Sequence, residues 1–257
     1  MFSHLLILAA LALPLPDTSF KEVFSGDEPA ALVIVESATG QKQHYHPALC
    51  AEKLPPCSTF KIWNAAIGFE TGVVKKPDEP FYQWDGKKRK IEDWNRDLTL
   101  KEAFAVSCVP AFQELARKIG PVRMNGWLEK LDYGDRNTAS GNDVFWLPAP
   151  GRKPLLISPD EQAALLVRLV NGDLPFSRHT LAALKETMKV RETKNGTLYG
   201  KTGTGPIDEK RNIAWFVGYV ESGRKTFAFA CALKSETLMG PDVRARVIDL
   251  LTQNGLL

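Results

Sequence analysis

Strand-type and helix-type patterns divide the chain into three stretches, and this division constrains its fold more than any other feature. Residues 30–37 (AALVIVES) form an apolar, β-branched run typical of a strand, and residues 43–46 follow a turn at residues 39–40 as a returning strand. Helical spacing then dominates residues 58–184. The pattern predicts a hairpin at the start of the fold and a long helical stretch after it.

Strand-type patterns return after the helical stretch. Residues 197–201, 213–221 and 226–234 are predicted strands, the last two joined by a turn at Ser222, and residues 241–253 form a predicted closing helix. We therefore predict an α/β (α+β) fold. In it, an antiparallel sheet flanked by helices is assembled from both ends of the chain, and an all-helical lobe is inserted.

Two predicted lobes follow from this division, with an active site between them. The boundaries are residues 18–57 with 185–257 for the sheet lobe and residues 58–184 for the helical lobe. Two capping boxes, Thr99 with Glu102 and Ser158 with Glu161, predict the positions where helices of the second lobe begin.

The composition is that of a globular protein, with 44% hydrophobic and 25% charged residues. The formal net charge is only +3, and the one dense cationic run, residues 87–90, is typical of a solvated turn. These values exclude disordered and fibrous classes, and we predict no nucleic acid as a partner.

The N-terminal stretch indicates export. Residues 5–15 (LLILAALALPL) are apolar over the length of a signal-peptide core, which is shorter than the roughly 20 residues needed to cross a bilayer. We predict a signal peptide at residues 1–17 and a secreted or periplasmic mature protein. No later run is long and apolar enough to span a membrane, so we expect no integral membrane segment in the mature chain.

An exported protein can form disulfides, and the chain has four cysteines. Cys50 and Cys57 flank a short, proline-containing segment typical of a loop, and we predict that they pair. Cys231 lies in a predicted strand, where a buried core thiol is expected. Cys108 lies beside Ser107, and two alternatives stay open for it, a packed thiol and a site of oxidation.

A lysine in the first turn of an otherwise ordinary helix is the clearest sign of chemistry. The apolar stripe that defines this helix consists of Ile62, Ala65, Ala66 and Phe69. Ser58 is predicted to cap or begin the helix, so Lys61 faces the positive end of the helix dipole, which disfavours a cation. The conflict disappears if Lys61 is neutral or carries a negative group.

The Ser-x-x-Lys spacing places Ser58 and Lys61 on one helix face, where a neutral lysine can take the serine proton and leave a nucleophile. The pattern alone is weak, because a second copy, Ser222 to Lys225, lies on a predicted turn without other signs of chemistry. Other motifs must therefore accompany the first copy before it indicates a function.

Two such motifs follow in the order found in penicillin-recognising serine enzymes, a second serine at Ser107 and a strand-borne Lys201-Thr202-Gly203. Seven strings together resemble a class D, or oxacillinase-type, serine β-lactamase over about residues 30–257. They are STFK, WNRDLTL, SCVPAFQELARKIG, LDYG, FWL, KTGTG and WFVGYVE. The resemblance implies the serine β-lactamase/transpeptidase-like fold and hydrolysis of β-lactam antibiotics through an acyl-enzyme on Ser58.

The resemblance also implies a modified lysine as the general base. In that family the lysine of Ser-x-x-Lys carries a CO2-derived carbamate that serves both acylation and deacylation, and here that lysine is Lys61. Phe60, Val109 and Trp146 are expected to surround it, with the Trp146 indole N–H donating to the carbamate. A dry pocket keeps the amine neutral for this reaction, and the helix dipole favours the resulting anion. No other cofactor is implied.

The remaining roles are likewise implied by the resemblance. Ser107 is expected to relay a proton to the β-lactam nitrogen, and the backbone N–H groups of Ser58 and Thr204 to form the oxyanion hole. Lys201, as a catalytic residue, and Thr202 are expected to contact the substrate carboxylate and to help that proton transfer. Gly203 is expected to line the same substrate site, and Arg244 on the last helix to bind the carboxylate. We prefer Arg244 to Arg246 because its spacing to the preceding strand fits better.

Two residues depart from the family pattern. Asp135 stands where the family commonly has asparagine, and Pro148 stands where a glutamate often follows Trp-Leu. We expect these departures to alter the loop beside the base, and with it the deacylation rate and the substrate range.

One pair of histidines has a spacing that metal ligands can have. His44 and His46 alternate on a predicted strand, but no aspartate follows two residues further on. We predict no metal.

Three functions share these residues. The first is β-lactam hydrolysis with turnover, which is our prediction. The second is a β-lactam sensor or penicillin-binding domain that is acylated without turnover, although such sensors carry a multi-span membrane segment that we do not expect here. The third is a cell-wall transpeptidase or carboxypeptidase acting on D-Ala-D-Ala ends, for which Ser107-x-Val109 and Trp146 are poor matches.

Overall fold

The computed structural model describes Leu15, residues 17–24 and residues 29–257. The predicted signal peptide, residues 1–17, lies outside these described residues except at Leu15 and Asp17. Within the described part of the chain, no helix combines the length and the apolar character needed to cross a membrane.

Antiparallel strands form the centre of the described structure. In chain order the strands are β1 (Ala30–Glu36), β2 (Lys42–Tyr45), β3 (Pro80–Tyr82), β4 (Leu98–Thr99), β5 (Lys189–Glu192), β6 (Gly196–Pro206), β7 (Asn212–Ser222) and β8 (Lys225–Ser235). Six of them make one sheet in the order β2-β1-β8-β7-β6-β5. Because β1 pairs directly with β8, the two ends of the chain meet within this sheet, which confirms the predicted fold class.

Seven of the described helices lie in the stretch between β2 and β5, one precedes β1 and one follows β8. In chain order they are α1 (Asp17–Val23), α2 (Pro47–Cys50), α3 (Lys61–Glu70), α4 (Leu100–Ala105), α5 (Val109–Ile119), α6 (Pro121–Leu131), α7 (Pro159–Asn171), α8 (Arg178–Met188) and α9 (Gly240–Gln253). Thr99 caps α4 and Ser158 caps α7, each in the predicted capping box.

The central strands divide their side chains between two hydrophobic cores. On β7, Phe216 and Val220 enter the core that includes α9, whereas Trp215 and Val217 enter the core that includes α3, α5 and α7. The sheet is therefore covered on both faces, which explains the nearly continuous apolar sequence of β7 and β8.

The predicted disulfide between Cys50 and Cys57 is wrong, because both thiols are free and buried. Cys50 ends α2 with its Sγ 3.4 Å from the Tyr45 carbonyl oxygen, whereas Cys57 Sγ faces the backbone of its own turn. Between them in the sequence, Leu54 pairs with Ile157 in a β-bridge, so this segment is tied to another part of the chain. Burial raises the pKa of the Cys50 thiol to about 12, which keeps it protonated and unreactive.

Candidate active site

A buried lysine joins the two candidate serines. Lys61 Nζ lies 2.6 Å from Ser58 Oγ and 3.2 Å from Ser107 Oγ, and the lysine side chain is 0% exposed. Burial lowers the pKa of Lys61 from its ordinary 10.5 to about 7, an effect that the nearby Cys108 and Cys57 only partly offset. A substantial fraction of the amine is therefore neutral near pH 7 and able to accept a proton.

Ser58 lies in a 3-10 turn, Cys57–Phe60, rather than at the cap or first residue of an α-helix as predicted, and α3 begins only after this turn. Cys57 adopts a left-handed backbone with a φ of 52°. The turn packs closely on β6, since a Cβ added to Gly203 would lie 3.0 Å from the Pro56 carbonyl oxygen. The absence of a side chain at Gly203 thus sets how closely the turn approaches the strand.

Ser107 lies in the turn between α4 and α5 and also has a left-handed backbone, with a φ of 55°. The backbone N–H groups of Ser107 and Cys108 donate to the carbonyl oxygens of Phe104 and Ala103 at 3.1 Å and 2.8 Å, which fixes this turn at the end of α4. Cys108 is fully buried, and burial raises its pKa, so its thiol is a packed, protonated one. Val109 begins α5 and is half-buried.

Aromatic side chains pack behind residues 55–60, the segment that carries Ser58 and that we call the nucleophile turn. Phe60 stacks on Trp146 with ring centroids 5.3 Å apart, and Tyr133 meets Phe60 edge-on at 5.4 Å. Trp146 is fully buried, yet its indole N–H has no hydrogen-bond partner among the described residues. A buried donor without an acceptor costs about 1–3 kcal/mol. An acceptor placed beside the Trp146 indole would remove this cost.

Lys201 is the second buried lysine of the site. It lies on β6, is 4% exposed, and its Nζ donates to the carbonyl and hydroxyl oxygens of Thr202 at 3.2 Å and 3.3 Å. Burial, followed by the charges of Lys61 and Arg244, holds its pKa well below the ordinary 10.5. A bound carboxylate would reverse this effect, because a nearby anion favours the charged form of an amine.

The last helix brings an arginine to the same end of the site. Arg244 is exposed on α9 and, together with Lys201 and Thr202, lines a cavity of about 180 Å³. Arg246 lies two residues further on, and its charge acts on the buried Cys231 of β8. Residues two apart on a helix do not share a face, so it is Arg244 that lies beside Lys201.

Thr204 fixes β6 against the start of this helix. Its Oγ1 accepts a hydrogen bond from the Gly240 N–H at 2.8 Å. The strand that carries Lys201 and the helix that carries Arg244 are therefore held in a fixed relation.

The two residues that depart from the expected pattern have defined contacts. Asp135 Oδ1 accepts hydrogen bonds from the backbone N–H groups of Asn137 at 3.1 Å and Leu156 at 3.0 Å. Pro148 packs on β6, since a Cβ added to Gly205 would lie 2.7 Å from Pro148 Cγ. Asp135 therefore ties Leu156 to the turn after α6, and Pro148, two residues after Trp146, lies against β6.

Among the described residues, no group of three or more His, Cys, Asp or Glu side chains is placed to hold a metal ion. His44 Nε2 instead lies 2.8 Å from Asp160 Oδ1, at the start of α7.

Sequence reasoning missed two buried side chains that contact the nucleophile turn, Gln162 and Trp215. The sequence did contain a signal for Gln162. Gln162 precedes Leu166 and Leu169 by four and seven residues, so it lies on the buried stripe of α7, where an uncharged polar residue needs a partner.

The sequence is similar to those of several known proteins. A sequence model of the penicillin binding protein transpeptidase domain matches residues 27–252. Beta-lactamase OXA-10 from Pseudomonas aeruginosa is 36% identical over 217 residues, which cover 83% of this chain and 80% of the relative. The regulatory protein BlaR1 from Bacillus licheniformis is 28% identical over 93% of this chain, which corresponds to 39% of that protein.

Solved structures with the same fold are also similar in sequence. The structure of BPu1 beta-lactamase has a TM-score of 0.85 and 34% identity, covering 96% of this chain and 99% of that one. A class D beta-lactamase from Bacillus subtilis has a TM-score of 0.85 and 33% identity, covering 96% of this chain and 98% of that one.

Proposed function

The chain belongs to the class D serine β-lactamases, and we propose that it hydrolyses β-lactam antibiotics through an acyl-enzyme on Ser58, with carbamylated Lys61 as the general base. The observation that carries this proposal is the pairing of a nucleophile with a buried base. Nζ of the fully buried Lys61 lies 2.6 Å from Ser58 Oγ, within the distance over which a proton can be transferred.

In acylation, Ser58 Oγ attacks the carbonyl carbon of the four-membered ring and gives its proton to the group at Lys61. The backbone N–H groups of Ser58 and Thr204 stabilise the oxyanion, a contribution of about 3–4 kcal/mol for each donor. Ser107, with its Oγ 3.2 Å from Lys61 Nζ, gives its own proton to the ring nitrogen as the C–N bond breaks and takes the proton that came from Ser58, so that the base is free again. In deacylation, a water gives a proton to the same base while its oxygen attacks the ester carbon. As the C–O bond to Ser58 breaks, that proton passes from the base to Ser58 Oγ, and the ring-opened acid leaves.

The substrate carboxylate is proposed to bind at the Lys201 end of the site. Lys201 and Thr202 supply donors from β6, and Arg244 supplies a guanidinium from α9. Because Gly203 carries no side chain, the substrate and the nucleophile turn can both lie close to the strand.

The residues around Lys61 fit a carbamate in three respects. Burial lowers the Lys61 pKa to about 7, which provides the neutral amine that reacts with CO2. Lys61 is the first residue of α3, where the helix dipole favours an anion. Trp146 has a buried indole N–H without an acceptor, and Phe60 and Val109 contribute apolar surface. When present, the carbamate supplies an anionic base at the end of the lysine side chain.

A β-lactam sensor is the alternative function, and the similarity to BlaR1 over 93% of this chain is the observation that favours it. A sensor would use the same nucleophile and the same oxyanion hole but remain acylated. The two functions therefore differ only in deacylation.

A chromogenic cephalosporin distinguishes the two functions. Continuous colour development over many equivalents supports hydrolysis, whereas a burst of one equivalent with a persistent protein adduct, detected by mass spectrometry, supports the sensor. Ser58→Ala is the control, because it removes both the burst and the turnover.

The carbamate has a separate test. We expect ¹³C-labelled bicarbonate to add a protein-bound carbonyl resonance to the wild type and none to Lys61→Ala. An identical spectrum for both proteins would refute the carbamate while leaving the serine chemistry intact.

We also propose that the protein acts outside the cytoplasm, after removal of residues 1–17. The N-terminal sequence of protein recovered from the medium or the periplasm tests this proposal, and an uncleaved protein confined to the cytoplasm would contradict it.

A further inference from the structure

The backbone that carries the nucleophile contains a residue in an unfavourable conformation. Cys57, directly before Ser58, is a fully buried non-glycine residue with a φ of 52°. Left-handed conformations of such residues persist only where the surrounding structure over-determines them. The contacts on either side of Cys57 must therefore hold the turn.

Two buried donors from distant parts of the chain make these contacts. Before Cys57, the indole N–H of Trp215 on β7 donates to the Pro55 carbonyl oxygen at 2.9 Å. After Ser58, the side-chain amide of Gln162 on α7 donates to Thr59 Oγ1 at 3.2 Å. The Thr59 hydroxyl in turn donates to the Pro56 carbonyl oxygen at 2.7 Å, which closes the turn across Ser58.

The first turn of α7 and the residues just before it also hold the chain that leads into the nucleophile turn. Lys53 Nζ lies 3.0 Å from Glu161 Oε1, and Leu54 and Ile157 exchange both backbone hydrogen bonds, at 3.0 Å and 2.9 Å. Gln162 continues this series of contacts to Thr59. Gln162 is 1% exposed and Thr59 is 0% exposed, so neither can exchange its partner for water.

We propose that Gln162 is a positioning residue for the nucleophile, acting through the Thr59 hydroxyl and supported by Trp215. It holds the turn so that Ser58 Oγ stays beside Lys61 Nζ and the Ser58 N–H stays directed at the substrate carbonyl. A buried amide–hydroxyl pair gives little net stability over an apolar pair of the same shape, so its contribution here is to direct the backbone. This inference rests on the proposed function in so far as it concerns the same serine.

The test uses four variants, Gln162→Leu, Thr59→Val, the double variant and Thr59→Ser. Stopped-flow measurement with a chromogenic cephalosporin gives the acylation rate, steady-state kinetics give kcat and KM, and thermal unfolding gives Tm. We expect acylation to fall about 10- to 100-fold in Gln162→Leu and in Thr59→Val, because small displacements of reacting groups have effects of this size. The double variant is expected to be no slower than the slower single variant, since both changes break one network.

Two results separate positioning from a merely structural role. Thr59→Ser retains the hydroxyl and is expected to acylate within about threefold of the wild type, while the substrate dissociation constant, obtained from the concentration dependence of the acylation rate, stays nearly constant in the whole series. The matched control is Thr180→Val, which removes the hydroxyl of another fully buried threonine, on α8, and is expected to leave acylation unchanged.

The double variant guards against a failure to fold, because its two apolar side chains can pack against each other. If the double variant is folded and acylates at the wild-type rate, or if the loss lies entirely in the substrate dissociation constant, the positioning role is refuted. Acylation is common to a hydrolase and a sensor, so this result is independent of whether the wild type turns over.

Discussion

The charge of Lys61 lowers the pKa of Lys201, although the two lysines come from a helix and a strand 140 residues apart in the sequence. Both side chains are buried, and no carboxylate contributes to the pKa shift of either amine. Burying an unpaired cation is costly. Burial of the two lysines therefore lowers the free energy of unfolding. Deprotonation of the amines, or binding of an anion beside them, removes part of this cost.

The first prediction concerns stability, measured in CO2-depleted buffer with Lys61→Met. The folded-state pKa of about 7 lies below the ordinary 10.5, so between these values the unfolded state binds a proton that the folded state has lost. The free energy of unfolding should therefore rise with pH across this window. We expect the variant to be about 1–4 kcal/mol more stable at pH 7 and below, with the gain shrinking towards pH 10.5.

Denaturant unfolding at several pH values measures this difference. Lys87→Met, at an exposed lysine, is the control and should show no such trend. A gain that is independent of pH would mean that packing, rather than the buried charge, is responsible.

The second prediction concerns the base itself. Lys61→Ala should accumulate the acyl-enzyme, and turnover should fall by about 10²–10⁴, the usual contribution of a general base. Mass spectrometry of the protein after mixing with substrate detects the adduct. Lys225→Ala, at the lysine of the second Ser-x-x-Lys copy, is the matched control and should keep full turnover. Rapid deacylation by Lys61→Ala would assign the base to another group.

The third prediction concerns the unpartnered indole. Trp146→Phe keeps an aromatic ring against Phe60 but removes the N–H that has no acceptor among the described residues. We expect turnover to fall about tenfold, by the loss of one charge-assisted hydrogen bond of about 1.5 kcal/mol. The bicarbonate concentration needed for half-maximal activity should rise. Trp127→Phe, at a tryptophan stacked on Phe176, should change neither quantity.

The fourth prediction concerns the close approach of β6 to the nucleophile turn. Gly203→Ala places a Cβ 3.0 Å from both the Pro56 carbonyl oxygen and Thr59 Cγ2, so the turn must move. We expect a loss of about 1–3 kcal/mol in stability and a larger proportional loss in the acylation rate. Gly126→Ala meets nothing within 4 Å on α6 and should stabilise the helix by about 0.5–1 kcal/mol. An unchanged acylation rate in Gly203→Ala would show that the turn adapts freely.

Features that depend on local sequence were predictable. The strands β1, β7 and β8, the capping boxes at Thr99 and Ser158 and the closing helix all follow from periodicity and from hydrogen bonds between near neighbours. The order of the motifs in the chain was also sufficient to indicate the family. Such features involve residues only a few positions apart, so the identity of each residue limits its conformation directly.

Features that depend on residues distant in the chain were not predictable from sequence. The spacing of Cys50 and Cys57 favours a disulfide, but both thiols are free and buried, and Leu54 between them pairs with the distant Ile157. Ser58 has the spacing of a helix start, yet β6 packs on its turn and a left-handed Cys57 precedes it.

The sequence by itself determined the main strands and the capped helices, the fold class and which side chains are available for chemistry. Only the tertiary structure decided that Lys61 is dry, that Trp146 lacks an acceptor and that Gln162 reaches Thr59. The physical reason is that burial and hydrogen-bond geometry are properties of the whole packed chain. A pKa and the direction of a nucleophile depend on all the groups that surround them, whatever their separation in the sequence.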